Sequence, residues 1–483
     1  MLESNAFLNR SRQKFILIAL ALLWLALRVP HLTTRFSFNW DSSLYARGMA
    51  EFNVLKNQPH PPGFPLWVFS ARALEPLLGG AMRAQILLAV LMAILALAVF
   101  YFLARQALAD SHAAAWCTLL LAYSPGVALN SSIPATSIVD MASSAVAGYL
   151  AFLNPSRRQW RIVACLAGLG VLAGFRQSGV GLLAPFIVVA LLFHLRDAWR
   201  AVTLGALLGL IAFMAWYIPL AESVGGFRAF SHLVNAYFLQ VSHNTSIFLG
   251  GALRRHVGMV GENLMDYSLN LIGAFVACGL FFRERWKVPP GWFLYVLWIA
   301  PSLIMILAIH SGRVGQCMQL FPALLLLCAV ISKPRLPAAI AGIVVSLAIS
   351  YFPYGQFQFS RFWRVNYLVY RGTPRMALDL EASQRNLDQE LRQLQRSGAP
   401  QPFVCAREFS DAPNIASVQY DFSYVNWVLP IAAPQGKSIW LFNQTGPDED
   451  ARKRYQTWRR ISGDNLVSLW EATPSPQPQA PSP

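Results

Sequence analysis

Asp41 is the residue whose surroundings point most directly to chemistry. It follows Phe38, Asn39 and Trp40 and opens the stretch Asn39–Pro65, NWDSSLYARGMAEFNVLKNQPHPPGFP. A carboxylate at the edge of an apolar region can take a proton from a hydroxyl, which is the work of a general base. The same carboxylate can instead be the N-cap of a helix over Ser42–Phe52, a structural duty worth about 1 kcal/mol. Leu44, Met49, Phe52 and Leu55 recur at near-helical spacing, so a short amphipathic helix lying on a membrane surface is expected there. The stretch closes with His60-Pro61-Pro62-Gly63-Phe64-Pro65, too rich in proline for a helix interior and suited to walling a pocket. Tyr45 and His60 are further candidate substrate contacts.

Positive charge to match such a base is available in two glycine-flanked positions. Arg176 lies in GFRQSG and Arg313 in HSGRVGQ, each between two apolar segments. Two guanidinium groups so placed could clamp a phosphate bidentately; the bland alternative is that they snorkel to lipid headgroups. For Arg254-Arg255-His256 the headgroup reading is the better one. Asp140, in IPATSIVDMASS, falls near the outer part of an apolar segment, where an ionisable residue is a functional candidate by default and a hydrogen-bonded structural role is its rival. His60 and His310 could each bind phosphate or metal, but two histidines that sequence cannot bring together make no metal site. No P-loop, GxGxxG, GxSxG or HExxH is present, which argues against a nucleotide-driven pump and a serine or zinc hydrolase.

The elements that must position these residues are mostly membrane spans. Of 483 residues, 55% are hydrophobic and only 13% charged, about half the charged share of a soluble protein. The net charge of +16 is spread in short clusters between apolar runs, so nucleic acid is not the expected partner. At about twenty apolar residues per crossing, roughly eleven spans are predicted, centred near Leu23, Met92, Leu120, Ala145, Leu166, Ile187, Leu208, Phe275, Leu297, Leu325 and Val345. With the N-terminus inside, every predicted inner loop is basic: Arg105; Arg157, Arg158 and Arg161; Arg196 and Arg200; Arg283, Arg285 and Lys287; Lys333 and Arg335. The outer face then receives the Asp41 loop, turns at Ser124–Pro134, Arg176–Gly179 and His310–Gln316, a long loop from Glu222 to about Glu262, and the tail. A cleaved leader over the first apolar run is the rejected alternative.

The tail reads as a small α/β domain. Met376–Gln395 is an amphipathic helix, Phe403–Cys405, Ser438–Phe442 and Leu466–Trp470 are short strands, and Pro447–Arg459 is a helix whose acidic start and basic end match the helix dipole. Residues 473–483 form a disordered proline-rich end. The expected division is a transmembrane domain over 1–354 with its first outer loop at 33–65, a periplasmic domain over 355–472, and that end. Cys117, Cys165, Cys278, Cys317 and Cys328 read as small apolar residues; Cys405 alone lies in the tail.

The stretch NWDSSLYARGMAEFNVLKNQPHPPGFPLWV resembles the first outer loop of bacterial membrane glycosyltransferases with the GT-C fold, relatives of protein O-mannosyltransferases and of the lipid A aminoarabinose transferase. N-W-D-S and Q-P-H-P-P-G-x-P are the specific elements, with GFRQSG and HSGRVGQ…LFPALLLL as later landmarks. The resemblance implies an enzyme that takes a sugar from a polyprenyl-phosphate carrier and hands it to a lipid, glycan or protein acceptor on the outer side, inverting the anomeric centre. Asp41 is then the base, and Arg176 and Arg313 are candidates to meet the leaving phosphate. Two departures weigh against a bound divalent metal: Ser42 stands where many relatives have a second acid, and Asn130-Ser131-Ser132-Ile133-Pro134 stands where many have a glutamate. No cofactor is firmly predicted, and a divalent metal stays a weakly supported alternative.

The expectation is therefore a multi-span, all-α, inner-membrane glycosyltransferase of GT-C type with a small periplasmic α/β domain. A transporter or flippase, and a non-catalytic protein of envelope assembly, are the alternatives.

Overall fold

The computed structural model describes residues 2–154, 159–243, 246–279, 291–309, 315, 318–332, 336–352 and 372–396, and five strands beyond them. It divides into two compact units. The larger holds Met1–Thr33 and Gly48–Met376, the smaller Thr34–Arg47 and Ala377–Pro483.

The larger unit is helical. In chain order it contains α1 (Leu2–Ala26), α3 (Pro65–Leu78), α4 (Ala81–Leu108), α5 (Ser111–Tyr123), α6 (Pro125–Asn130), α7 (Ser137–Ala151), α8 (Trp160–Phe175) and α9 (Gln177–Ser223). Then come α10 (Phe227–His243), α11 (Leu253–Gly279), α12 (Trp292–Ile304), α13 (Phe321–Ser332) and α14 (Leu336–Tyr351). The omitted helix, α2 (Trp40–Ala50), begins in the smaller unit and ends in the larger. Each predicted span centre falls inside one of these helices. By length and apolarity, the described residues contain four candidate crossings, Gln13–Thr33, Ala81–Leu108, Gln177–Ser223 and Trp292–Ile309, beside shorter apolar helices.

The 47 residues of α9 are two helices in one. Ala198 leaves the helical region (φ −147°, ψ 37°). Gln159 Nε2 donates to the Asp197 carbonyl at 3.4 Å, which places the start of α8 beside that break. Beyond it, Gly205 faces Leu166, Gly209 faces Gly170, and Trp216 Nε1 donates to the Gly170 carbonyl at 3.0 Å. The second half of α9 therefore runs parallel to α8, while the first half returns from the Arg176 turn antiparallel to it. The chain reverses at Ala198. Gly170 and Gly209 meet backbone to backbone with no room for a Cβ on either, the small-residue contact that lets helices approach closely where there is no water to drive them together.

Two connecting stretches prove to be helical in part. The one expected as a long outer loop from Glu222 to about Glu262 contains α10 and the start of α11. Its polar letters conceal a helical stripe of Phe230, Leu233, Val234 and Tyr237, of which Phe230 packs with Val54, Trp216 and Leu220. The Ser124–Pro134 turn is largely the short helix α6, and Asn130, Ser131 and Ser132 are buried.

In the smaller unit, α15 (Pro374–Arg396) contributes from Ala377 onward. A five-stranded sheet in the order β2-β1-β3-β5-β4 is formed by β1 (Phe403–Ala406), β2 (Val425–Asn426), β3 (Ile439–Asn443), β4 (Thr457–Gly463) and β5 (Ser468–Thr473). β1 pairs parallel with β2 and β3, and β5 pairs antiparallel with β3 and β4. The expected helix Pro447–Arg459 is overturned at its end, because Thr457–Arg459 belong to β4; residues 447–456 lie outside the described set.

Candidate active site

The Asp41 helix is set up by its own approach. Asn39 Oδ1 accepts from the Ser42 backbone N–H at 2.9 Å and from the Ser42 hydroxyl at 2.6 Å. Asn39 is thus the side chain that caps α2, and the expected capping role of Asp41 is corrected: Asp41 sits in the first turn, half-buried. The helix ends at Ala50, short of Phe52. Tyr45, one turn on from Asp41, is buried, and burial pushes the Arg47 guanidinium below its usual value. The C-terminal helix holds the approach segment: Glu381 accepts from the backbone N–H of Arg35 at 3.1 Å and of Phe36 at 3.2 Å. Arg385 Nε pairs with the same carboxylate at 2.8 Å, and Gln384 Nε2 donates to the Ser37 carbonyl at 3.2 Å.

The proline-rich turn belongs to the larger unit. Asn53 and Gln58 exchange backbone hydrogen bonds at 2.6 and 2.9 Å and close a small loop. Gly63 then turns with φ +102°, where a Cβ would meet Val54 Cγ2 at 3.0 Å and Leu220 Cδ1 at 3.1 Å. That position needs glycine on both counts. His60 is buried and stacks on Tyr237 of α10, centroids 5.2 Å apart, with Phe64 edge-on at 5.1 Å. Its Nδ1 lies 2.8 Å from the Pro61 carbonyl. The turn is thereby fastened to α10.

Arg176 and Asp140, separate candidates in the sequence, meet. Arg176 links α8 to α9 with extended backbone, and its Nε lies 2.7 Å from Asp140 Oδ2 on α7. Its Nη1 donates to Thr136 Oγ1 at 2.6 Å. Asp140 is 4% exposed, and its Oδ1 abuts Gly179 so closely that no Cβ fits there. Glycine in GFRQSG therefore makes room for the carboxylate. The Gly179 carbonyl in turn accepts from Gln319 Nε2 at 2.6 Å, while Ser302 donates to Gln319 Oε1 at 2.8 Å and Ser144 to the Gln319 carbonyl at 2.6 Å. The Gln319 hydrogen bonds join α7, α9 and α12, and buried polar networks of this kind favour one arrangement of a core.

Arg313 and His310 lie outside the described residues. Arg254 and Arg255 are exposed at the start of α11 and His256 is buried. Among the described residues no cluster of three or more His, Cys, Asp or Glu side chains could hold a metal. Nor do the two positions noted above fit one: the Ser42 hydroxyl is given to Asn39, and the Asn130 carboxamide accepts from Ser137 at 2.6 Å and donates to the Gly126 carbonyl at 2.8 Å. Sequence reading passed over Arg28 and His31, both almost fully buried at the end of α1. Both fall within the first apolar run, and no motif singles them out.

An apolar helical bundle, a capped first-loop helix and a five-stranded sheet in the tail make up a fold that solved structures share. Its particular likeness is to ArnT from Cupriavidus metallidurans. The structure of that protein bound to undecaprenyl phosphate superimposes with a TM-score of 0.53 at 14% identity, covering 95% of this chain and 97% of that one. The apo structure gives 0.52 at 16%, covering 96% and 98%. No family model matches the chain, and no curated protein does. At these identities the shared property is the fold.

Proposed function

We propose that the protein is an inverting glycosyltransferase of a bacterial inner membrane, drawing its sugar from a polyprenyl-phosphate carrier and working on the periplasmic side. The observation that carries this reading is the ArnT likeness, which runs over nearly the whole of both chains, one of them crystallised with undecaprenyl phosphate. The N-terminus lies inside and the C-terminal α/β domain outside, as the basic inner loops require. Eleven crossings follow from the same pattern, with the reversal at Ala198 supplying two of them.

Asp41 takes the proton of an acceptor hydroxyl. The freed oxygen attacks the anomeric carbon from the face opposite the phosphate, the bond from that carbon to the phosphate oxygen breaks, and the polyprenyl phosphate leaves with the bonding pair. Inversion follows from the single displacement. Tyr45 and His60 line the substrate, and Arg313 meets the phosphate. Asp140 and Arg176 hold each other and position the α7–α9 corner.

Asp41→Asn tests the reading, because Asn39 keeps the helix cap in that variant. In proteoliposomes given a labelled lipid-linked sugar, transfer is expected to fall by about 10²–10⁴-fold, the usual worth of a general base, with the melting temperature unchanged. Full transfer by D41N removes Asp41 from the mechanism. Transbilayer movement of the lipid without transfer, in the wild-type protein, would favour the flippase.

A further inference from the structure

A departing lipid phosphate needs positive charge, and the structure commits Arg176 elsewhere, to Asp140 and Thr136. Arg28 is placed differently. It is 2% exposed, its guanidinium carbon lies 4.4 Å from the centre of the Trp24 ring, and its Nε donates to Ser131 Oγ at 2.9 Å. Ser131 passes that bond on to the Val127 carbonyl at 2.6 Å, and Trp24 Nε1 is tied to the Ala122 carbonyl at 2.9 Å. Tyr123 stands beside the guanidinium, and the Tyr351 hydroxyl lies within hydrogen-bonding reach of it. Among the described residues no carboxylate lies within ion-pair distance of it, and Nη2, fully buried, makes no hydrogen bond.

His31 lies one turn further on, its backbone N–H bonded to the Arg28 carbonyl at 3.1 Å. Its ring is 1% exposed, within electrostatic reach of Arg28, and its Nε2 has no hydrogen-bond partner among the described residues. The carbonyl end of α1 offsets about half a charge at most. A permanently charged, buried guanidinium in neutral surroundings is costly unless an anion is bound next to it.

We infer that Arg28, with His31 beside it, is the seat of a phosphate oxyanion, the guanidinium giving charge and Nη2–H and the imidazole an N–H. This rests on the proposed reaction only for the identity of the phosphate, that of the carrier lipid; the anion site itself stands on the burial and orphaned nitrogens. Trp24 and Ser131 hold the guanidinium in a fixed orientation.

The test uses the full-length protein in detergent and reads thermal stabilisation by polyprenyl phosphate, by polyprenol lacking the phosphate, and by inorganic phosphate. Polyprenyl phosphate should stabilise the wild type and polyprenol should not. Arg28→Gln should weaken the apparent affinity about tenfold or more and His31→Gln about threefold, as expected on losing a charge-assisted and a neutral hydrogen bond. Competition by inorganic phosphate assigns the site to a bare oxyanion, and its failure assigns the site to the lipid headgroup; either sustains the inference. Unchanged affinity in folded R28Q overturns it, and if R28Q does not fold, unchanged affinity in H31Q does so. D41N separates the two readings. If transfer persists in D41N while R28Q loses binding, the base assignment falls and the anion site stands; if D41N loses transfer while R28Q binds normally, the reverse holds.

Discussion

Buried Arg28 and half-buried Arg176 carry the same charge into opposite surroundings. Arg176 enters the bundle with a carboxylate at 2.7 Å and a hydroxyl at 2.6 Å, so its charge is matched before any ligand is considered. Arg28 is held by a tryptophan face and a serine hydroxyl, which orient a guanidinium without neutralising it. A matched pair defines how helices meet. An oriented but unmatched cation is a feature a protein keeps for something that comes and goes. The contrast bears on the sequence expectation, in which Arg176 is a candidate phosphate contact and Arg28 is not singled out.

The strongest way to break this contrast is to unmatch the matched one. Asp140→Ala leaves half-buried Arg176 beside a void, and loss of one partner from a buried pair costs about 3–5 kcal/mol, so a loss at the lower end of that range is expected here; a denaturation midpoint in detergent measures it. Replacing both, D140L with R176M, should recover most of that loss. A double variant no more stable than D140A would show that the two do not act as a pair. Gly179→Ala comes next, since the added methyl must displace the Asp140 carboxylate; overpacking of this kind costs about 1–3 kcal/mol, read as a lower melting temperature. Arg28→Gln should be the mildest for stability, under about 1 kcal/mol, because the lost Ser131 bond is offset by relief from a buried unmatched charge. An R28Q loss as large as that of D140A would mean that Arg28 is structural too.

Much of the helical framework could be read from the chain because apolar runs of membrane length leave few alternatives. Each predicted span centre lies in a helix, and the amphipathic C-terminal helix spans Pro374–Arg396 against an expected Met376–Gln395. What escaped was decided by tertiary contact. Thr457–Arg459 read as the end of a helix from the charges, but pairing with the last strand places them in Thr457–Gly463. α10 was hidden because Arg228, Ser231, His232 and Asn235 dilute its hydropathy while leaving its periodicity intact. The Asp140–Arg176 pair spans 36 positions with no spacing to announce it, although the glycine that admits it was already visible in GFRQSG. Arg28 was unreadable for a different reason: hydropathy passes over a single cation within an apolar run, and only burial shows its place.

The single-residue reversal at Ala198 has a bearing on how such a chain is made. Arg196 and Arg200 flank it, with Trp199 exposed between Ala198 and Arg200. In the proposed topology no linker separates the two limbs, so the hairpin would enter the lipid as one unit, its backbone hydrogen bonds already made within each limb.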